Sequence, residues 1–423
     1  MICLINPRDK YLEKTGGNLG DRCPLALAQL SAYLKQQGYE TKIFDLNHDT
    51  EDSLKDFIVE YDPGFICFSV STPNYFQVLE LAKKFKHKNN VLVAGGNHIT
   101  DNPDEERTLK VFNYVITGDG EEALLKVIRD KPRQQLIDGG KVLDPNTLPI
   151  PDYEGIKFER YFMTVEGKKG AVVITSRGCL YNCMYCGSAK LKKWRPRSPG
   201  HVMEELRILY HKYGIRGFYF ADDIITSPRK LDQDRFIDLC RLIKAEFPDV
   251  VFRATTRADT LSEELCKAMA EAGCKWISLG IESGSDTVLK AMNKYMSAAQ
   301  QEKGIEMCMR YGIGIKGFFI CGLPGETDET MRETIDWAKG LKQKWGNRFI
   351  TDIYKLVPSP STPLWQDPKK FGMEVFKSDN WESYNQILES EQPLFRHPNL
   401  TEERIKYWIE QFKKEVGGNK TTK

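Results

Sequence analysis

The sequence predicts an α/β protein made of a doubly wound parallel sheet, a partial (β/α)6 barrel and a C-terminal mixed tail. Short apolar segments alternate with amphipathic helical segments over residues 1–130. A second alternating series of six strand–helix units occupies residues 171–365. A polar connector that contains several prolines, residues 131–170, separates the two series. Such alternation places the strands in parallel and the helices on both faces of a sheet.

The first series predicts a Rossmann-like domain, because each short apolar run is followed by a helical pattern. Strands are predicted at Ile2–Asn6, Thr41–Asp45, Phe65–Val70, Val91–Ala94 and Tyr114–Thr117. Helices are predicted at Leu25–Gln37, Leu54–Tyr61, Phe76–His87 and Glu121–Arg129. Apolar runs of this length are typical of strands that are buried on both faces.

The second series predicts a partial barrel, in which the chemistry is expected at the carboxyl ends of the strands. Strands are predicted at Val172–Thr175, Gly217–Phe220, Val250–Ala254, Trp276–Gly280, Ile315–Ile320 and Ile350–Tyr354. Helices are predicted at His201–Tyr213, Asp232–Glu246, Ser262–Ala272, Ala298–Tyr311 and Thr327–Leu341. Residues 366–423 are expected to form a C-terminal lid or helical extension, which ends in the amphipathic segment Glu402–Lys414.

Small and polar residues follow three strands of the first domain and mark a candidate ligand site. They are Ser71 and Thr72 after the third strand, Gly95, Gly96 and His98 after the fourth, and Gly118 after the fifth. A single glycine-rich loop often only turns the chain. Three such loops at one sheet edge favour a ligand, because open parallel sheets bind ligands beyond the carboxyl ends of their strands.

Charge and hydropathy narrow the classes of partner. A formal charge of +2 argues against nucleic acid or an anionic membrane as the main partner, since both usually require a basic excess. No apolar run approaches the roughly 20 residues that span a bilayer, and the N-terminus does not resemble a secretion signal. The expected location is cytoplasmic. Of eleven cysteines, eight are scattered and are interpreted as buried free thiols.

The other three cysteines form a cluster directly after the first barrel strand. Cys179, Cys183 and Cys186 have Cys-x-x-x-Cys-x-x-Cys spacing on a loop with glycine at each side. Thiolates are soft ligands, and three of them on one loop suit an iron–sulfur cluster with one iron left open for a chelating ligand. Structural zinc usually has four protein ligands, and a redox dithiol would leave Cys179 unexplained.

This loop resembles the signature of the radical S-adenosylmethionine (SAM) superfamily, and two later motifs agree with it: Gly280-Ile-Glu-Ser-Gly284, and Gly317-Phe-Phe-Ile-Cys-Gly-Leu-Pro-Gly-Glu326. The resemblance implies that Tyr185 packs near adenine, that Glu282 and Ser283 bind the ribose, and that the strand edge at Gly322 meets adenine. Arg253 and Arg257 are candidates for the SAM carboxylate, with plain salt bridges as the alternative. Asp222 and Asp223 are candidates for the sulfonium or the amino group, with capping of the following loop as the alternative.

The resemblance also implies the reaction. An external electron reaches the 4Fe–4S cluster, SAM breaks into methionine and a 5'-deoxyadenosyl radical, and the radical abstracts a hydrogen from the substrate. Such chemistry needs an electron donor such as flavodoxin or ferredoxin. The basic run Lys190–Arg197 is interpreted as a solvated loop, with contact to that donor or to an acidic substrate as the alternative.

The first domain resembles that of the cobalamin-binding branch of the superfamily, which includes methyltransferases and the anaerobic cyclase of chlorophyll synthesis. The matching stretches are Leu4-Ile-Asn-Pro7, Pro24-Leu-Ala-Leu-Ala28, Gly95-Gly-Asn-His98 and Thr117-Gly-Asp-Gly-Glu121. Asp-x-His-x-x-Gly, which supplies a cobalt ligand elsewhere, is missing, so His98 is a candidate pocket contact and is not expected to bind cobalt.

Several functions therefore compete. The first is cobalamin-dependent methyl transfer to an unactivated centre of a small-molecule or natural-product substrate. The second is a cobalamin-free rearrangement, cyclisation or group transfer with a vestigial first domain. A tRNA methylthiotransferase is discounted, because that class needs further cluster cysteines and a C-terminal RNA-binding barrel. A non-catalytic iron–sulfur carrier is opposed by the SAM-like motifs at Glu282 and Gly322.

Overall fold

The computed structural model describes residues 1–8, 23–142, 144–190, 193–384 and 393–418. The chain forms two compact units. The first consists of Met1–Met163 with Asn380–Glu382, and the second of Thr164–Asp379 with Ser383–Lys423. Among the described residues, no helix is both long and apolar enough to cross a membrane.

The first unit contains a parallel sheet of six strands in the order β2-β1-β3-β4-β5-β6. The strands are β1 Ile2–Asn6, β2 Thr41–Asp45, β3 Phe65–Ser69, β4 Val91–Gly95, β5 Tyr114–Thr117 and β6 Leu136–Asp138. The predicted doubly wound fold is confirmed. The sixth strand lies in what was expected to be connector, and no apolar run marks it because only Ile137 of its three residues is buried.

Helices connect these strands, and the apolar side of each lies on the sheet. Their bounds are Leu25–Gln36, Glu51–Tyr61, Tyr75–Phe85, Asn97–Asp101, Glu106–Val111 and Glu121–Asp130. Ile2–Ile5 of β1 are all buried, as expected for a central strand that is covered on both faces. The strand order reverses between β1 and β3, and in doubly wound sheets such a switch point lies at the ligand-binding edge.

The second unit contains the predicted partial barrel. Its six parallel strands are β8 Lys168–Val173, β11 Gly217–Phe220, β12 Val251–Thr256, β13 Cys274–Glu282, β14 Gly314–Cys321 and β15 Phe349–Lys355. Three short pieces, β7 Thr164–Val165, β9 Ser176–Arg177 and β10 Arg195–Pro196, lie at the start of the barrel. β7 pairs antiparallel with β8, so the barrel sheet starts with a hairpin.

The barrel helices cover the outer face of this sheet. They are Pro199–Tyr213, Lys230–Glu246, Glu263–Glu271, Asp286–Ala291, Ala298–Arg310 and Asp328–Trp345. The strands alternate accordingly: in β14, Ile315, Gly317 and Phe319 are buried, whereas Lys316 and Phe318 are half-buried. Because the six strands are parallel, the loops that follow their carboxyl ends lie at one end of the barrel.

The C-terminal tail begins with the short helix Pro363–Gln366 and a two-strand hairpin of β16 Glu374–Val375 and β17 Phe395–Arg396. It closes with the predicted helix, observed at Glu402–Glu415. The ring of Phe412 on that helix lies 4.7 Å from the ring of Phe319 on β14. This helix therefore packs onto the barrel through apolar contact, as a helical extension of it.

Candidate active site at the cysteine loop

The cysteine loop is fixed at its base by a buried carboxylate. Asp222, at the end of β11, accepts hydrogen bonds from the Thr175 hydroxyl at 2.9 Å and the Ser176 hydroxyl at 2.5 Å. The Thr175 amide donates to its second oxygen at 3.3 Å. Burial raises the pKa of Asp222, and these donors oppose that shift. The structure therefore gives Asp222 an anchoring role at the base of the loop, and its contact with SAM stays a prediction.

Two backbone features shape the loop itself. β9 pairs antiparallel with β10, which brings the two ends of the loop together. Met184 in its middle is fully buried; its amide donates to the Met292 carbonyl at 3.2 Å, and its carbonyl accepts from the Leu364 amide at 3.0 Å. The loop is thus held to two other segments of the barrel.

The three predicted ligand thiols lie together on this loop. Cys183 is buried, and Cys179 and Cys186 are half-buried. Burial raises the pKa of Cys179, and raises that of Cys186 to about 11; the neighbouring thiols and Asp223 act in the same direction. Converging thiolates repel one another unless cations lie between them, so this donor set fits a cationic iron–sulfur cluster.

No three His, Cys, Asp or Glu side chains of the described residues are arranged to hold a single metal ion. In a four-iron cluster each thiolate binds a different iron, so the thiols need not meet at one point. The donor chemistry of the loop therefore fits the cluster that the sequence predicts.

Arg257 follows β12 and lies against the buried thiol. Its Nη1 is 3.6 Å from Cys183 Sγ, and its guanidinium carbon is 3.6 Å from the ring centroid of Tyr181. Nε and Nη2 each donate to Asp259 at 2.9 Å, and Nη2 also donates to the Lys294 carbonyl at 2.8 Å. Most of its donors are therefore already used, which leaves little for the carboxylate of SAM.

Arg253 has a different environment. Its guanidinium lies 4.3 Å from the ring centroid of Tyr219, the residue that pairs with it on β11. No ion pair joins it to another described residue, and its buried Nε has no hydrogen-bond partner there. An arginine without a protein acceptor is open to an anionic group of a ligand, and the carboxylate of SAM stays its predicted partner.

Glu282 ends β13 in a network that reaches the cysteine loop. Its φ is 67°, a left-handed conformation that is rare outside glycine. Tyr185 donates to its Oε1 at 2.7 Å, and Lys294 Nζ lies 3.2 Å from the same atom. A Cβ on Gly280 would lie 2.4 Å from Oε1, so glycine is needed there for the carboxylate to approach the backbone.

Lys294 is the site residue that the sequence did not indicate, since it lies in an ordinary polar loop. Lys294 is 1% exposed, and its Nζ donates to the Gly280 carbonyl at 2.5 Å. Burial raises the pKa of Tyr185 well above its usual value, and the Glu282 charge adds to this, so the phenol stays a donor. Tyr185 and Lys294 both engage Oε1, and Oε2 makes no hydrogen bond to a described residue. That oxygen is therefore available to a ribose hydroxyl.

Ser283 takes a structural role. It is 1% exposed, its hydroxyl lies 2.9 Å from the Thr334 hydroxyl, and it accepts from the Ser285 amide at 3.1 Å. The contacts of Ser283 and Glu282 with the ribose both stay predictions.

Gly322 follows β14 with a φ of 96°, and a Cβ there would lie 2.8 Å from the Phe395 ring. Its amide donates to Glu326 Oε2 at 2.6 Å. Burial raises the pKa of Glu326 to about 8, although the amides of Gly322 and Leu323 oppose the shift. The glycine is thus required by the protein's own packing, and its contact with adenine stays a prediction.

Asp223 and the basic run Lys190–Arg197 differ in exposure to solvent. Asp223 is exposed and accepts from Ser188 at 2.8 Å, close to the thiols. In the run Lys190–Arg197, Trp194, Arg195 and Arg197 are buried, and Arg197 pairs with the buried Glu205. The expectation of a solvated loop is therefore wrong for these three; Leu191 and Lys192 lie outside the described residues.

In the first unit, the three loops of the candidate ligand site are hydrogen-bonded into one edge. The Val70 amide donates to the Gly95 carbonyl at 2.7 Å, and the His98 amide to the Val70 carbonyl at 3.1 Å. Gly118 donates to the Thr100 hydroxyl at 3.1 Å. A Cβ on Gly96, whose φ is 118°, would lie 2.6 Å from the Val70 oxygen, so this glycine allows two loops to meet. Ser71 and Thr72 lie on the adjoining loop.

His98 is fully buried at this edge. Its Nδ1 lies 3.2 Å from the Thr72 hydroxyl, and its ring centroid is 4.3 Å from that of Tyr75 and 5.0 Å from that of Trp381. Burial lowers its pKa to about 4, and Arg107 adds to this, so the imidazole is neutral. Its Nε2 is buried without a hydrogen-bond partner among the described residues. An unused polar atom at a glycine-lined edge fits contact with a large polar cofactor such as cobalamin.

A three-thiol loop at the mouth of a parallel half-barrel defines an iron–sulfur enzyme, and the doubly wound domain that precedes it in the sequence supplies a second ligand-binding domain. Comparison with known families agrees. Residues 173–338 match the model of the radical SAM superfamily, and residues 19–128 match the B12 binding domain. The chain therefore carries a B12-binding domain followed by a radical SAM domain. Its cofactors are accordingly a 4Fe–4S cluster and SAM, and its first domain is of the type that binds cobalamin.

Individual relatives extend over nearly the whole chain. An uncharacterized methyltransferase of Pyrococcus horikoshii, PH0819, is 29% identical over 96% of this chain and 89% of that protein. The anaerobic magnesium-protoporphyrin IX monomethyl ester cyclase of Rubrivivax gelatinosus is 27% identical over 86% of this chain and 69% of that protein. The structure of the radical SAM methyltransferase TsrM from Kitasatospora setae, solved with cobalamin and a 4Fe–4S cluster, matches with a TM-score of 0.73. That match has 17% identity over 97% of this chain and 90% of that chain, so it bears on the fold alone.

Proposed function

We propose that this enzyme is a cobalamin-dependent methyltransferase that cleaves SAM reductively and methylates an unactivated centre of a small molecule. The observation that carries the proposal is the presence on one loop of three thiols, Cys179, Cys183 and Cys186, that lie near enough for their charges to interact. The B12-binding domain supports cobalamin, and relatives named as methyltransferases support methyl transfer.

When bound, the cluster supplies an electron to the sulfonium of SAM, and cobalamin supplies a methyl carrier. The chain's own residues bind and orient. The three thiolates would hold three irons of the cluster and leave the fourth open to the amino and carboxylate groups of SAM. Glu282 presents Oε2 to the ribose, while Tyr185 and Lys294 hold its other oxygen in place. Glu282 and Lys294 are buried, which limits the access of water to the Glu282 carboxylate.

In the first unit, the loops that bear Ser71, Thr72, Gly95, Gly96, His98 and Gly118 would hold cobalamin. The neutral His98 is enclosed by Thr72, Tyr75 and Trp381, which suits a pocket contact better than a cobalt ligand. The second candidate function is a cobalamin-free rearrangement, cyclisation or group transfer. The two candidates differ in whether this edge binds cobalamin at all.

Anaerobic reconstitution of the full chain with iron, sulfide and hydroxocobalamin tests the proposal. After desalting, we expect a broad iron–sulfur absorption together with stoichiometric corrin bands. Dithionite and SAM should then yield 5'-deoxyadenosine. Cys183→Ser is the matched control: it should lose the iron–sulfur absorption and the cleavage yet keep the corrin bands. Wild-type protein that cleaves SAM but releases all corrin on desalting would favour the second candidate.

We further propose a flavodoxin or ferredoxin as the electron donor, in the cytoplasm, where thiols stay reduced. An acidic donor would meet the exposed surface around the cysteine loop, where Leu180 is 44% and Tyr295 is 77% exposed. The rate of cluster reduction by reduced flavodoxin should fall when Tyr295 is replaced by aspartate, and reduction by dithionite should stay unchanged. If flavodoxin reduces the wild-type enzyme and the Tyr295→Asp variant at equal rates, this surface is excluded as the docking site.

A further inference from the structure

Arg257 is placed where it acts on the cluster, although the sequence made it a candidate for the carboxylate of SAM. A guanidinium has five N–H donors. Nε–H and one Nη2–H go to Asp259, the other Nη2–H goes to the Lys294 carbonyl, and one Nη1–H points at Cys183 Sγ. One donor remains, whereas a carboxylate held in the usual forked geometry needs two parallel N–H groups.

The surroundings hold this cation in one position. Tyr181 stacks on its face at 3.6 Å, Asp259 binds it at two atoms, and only 6% of the residue is exposed. The Nη1–Sγ distance of 3.6 Å is within the range of an N–H···S hydrogen bond. Releasing Arg257 to another partner would leave Asp259 without its ion-pair partner and the Lys294 carbonyl without its donor. The contact with the thiol is therefore a built feature of the loop.

We propose that Arg257 is a positioning residue of the iron–sulfur cluster, which raises the cluster's reduction potential through its hydrogen bond to Cys183 and does not hold the carboxylate of SAM. The inference rests on the proposed cluster. Hydrogen bonds to the ligating sulfurs and nearby positive charge are established determinants of cluster potential. Reduction adds one electron from an external reductant and no proton, so the cluster gains one negative charge. A donor and cation at the sulfur stabilises that reduced form.

The test is a redox titration of the reconstituted full-length enzyme followed by the EPR signal of the reduced cluster. Arg257→Met removes both the donor and the charge. We expect the equilibrium constant for one-electron reduction to fall about tenfold, which corresponds to about 59 mV toward more negative potential. Arg257→Lys, which keeps the charge but not the fork, should fall between wild type and Arg257→Met. Arg241→Met is the control, since it removes an exposed cation that pairs with Asp238 on the helix Lys230–Glu246, and its potential should equal that of wild type.

Affinity for SAM, measured by equilibrium dialysis on the oxidised enzyme, separates the two roles. We expect Arg257→Met to bind SAM within about twofold of wild type. An unchanged potential in Arg257→Met together with a tenfold or greater loss of SAM affinity would overturn the inference and restore the carboxylate role. A wild-type enzyme that assembles no iron–sulfur cluster would instead refute the proposed function itself. Cluster assembly in the wild-type enzyme is therefore measured before any variant is compared.

Discussion

Replacement of Lys294 by methionine should expose the energetic cost of the carboxylate at the end of β13. Methionine is close in length to lysine, so Lys294→Met removes the charge with little change of volume. The side chains of Lys294 and Glu282 are 2% and 7% exposed, so solvent screens their interaction weakly. Removal of one partner of a buried ion pair costs about 3–5 kcal/mol, because the other charge stays buried and unpaired.

Urea unfolding of the reconstituted enzyme at pH 7 measures this. We expect Lys294→Met to lose about 3 kcal/mol of its free energy of unfolding. Lys290→Met, which replaces an exposed lysine on a nearby helix, should stay within about 0.5 kcal/mol of wild type. The double variant Lys294→Met with Glu282→Gln should recover most of the loss. A loss below about 1 kcal/mol for Lys294→Met would refute the account of this network.

Three further predictions follow from single contacts. Gly96→Ala should lower the free energy of unfolding by about 2 kcal/mol or more, since its Cβ would lie 2.6 Å from the Val70 oxygen. Gly38→Ala is the control, because Gly38 has a φ of 84° but a Cβ there would have no atom within 4 Å. Thermal melts compare the two variants. Glu326→Gln should remove a pH dependence of the free energy of unfolding. Because the pKa of Glu326 is raised to about 8, the wild-type stability is fully present below about pH 4.5 and falls as the pH rises to 8. Urea titrations of the variant should lack this decline. Asp222→Ala should lower iron content per chain after reconstitution, because Thr175 and Ser176 lose the acceptor that fixes the loop base; an iron content equal to wild type would contradict that role.

Local patterns were sufficient for most of the fold. Strands of parallel sheets are buried on both faces, so Ile2–Asn6, Thr41–Asp45 and Gly217–Phe220 stand out as apolar runs, and the structure has them at the predicted bounds. The exception is Leu136–Asp138, a strand whose partner β5 supplies the context that three residues lack. The expected burial of the scattered cysteines is confirmed for seven of the eight, and Cys23 is half-buried.

The candidate site divides in the same way. The cysteine spacing is a property of eight consecutive residues, Cys179–Cys186, so it could be interpreted without any fold. Lys294 carried no signal, because a lysine that is twelve positions from Glu282 becomes its partner only when a loop returns to the strand end. The hydrogen bonds of Ser283 and Asp222 within the protein carried no signal either, because their partners Thr334 and Thr175 lie 51 and 47 positions away.

What the sequence determined by itself is the set of groups that ligate and the order of strands and helices, since both depend on neighbours along the chain. The tertiary structure decided which of the polar groups at the barrel mouth keep an unused donor or acceptor. Arg253 and Arg257 are only four positions apart in the sequence, yet their surroundings differ. Arg253 stacks on Tyr219 without an ion pair to a described residue. Arg257 donates hydrogen bonds to Asp259, the Lys294 carbonyl and Cys183. Hydrogen-bonding capacity is limited and is filled by whatever the fold brings within about 3 Å, so availability to a cofactor is a property of the folded chain.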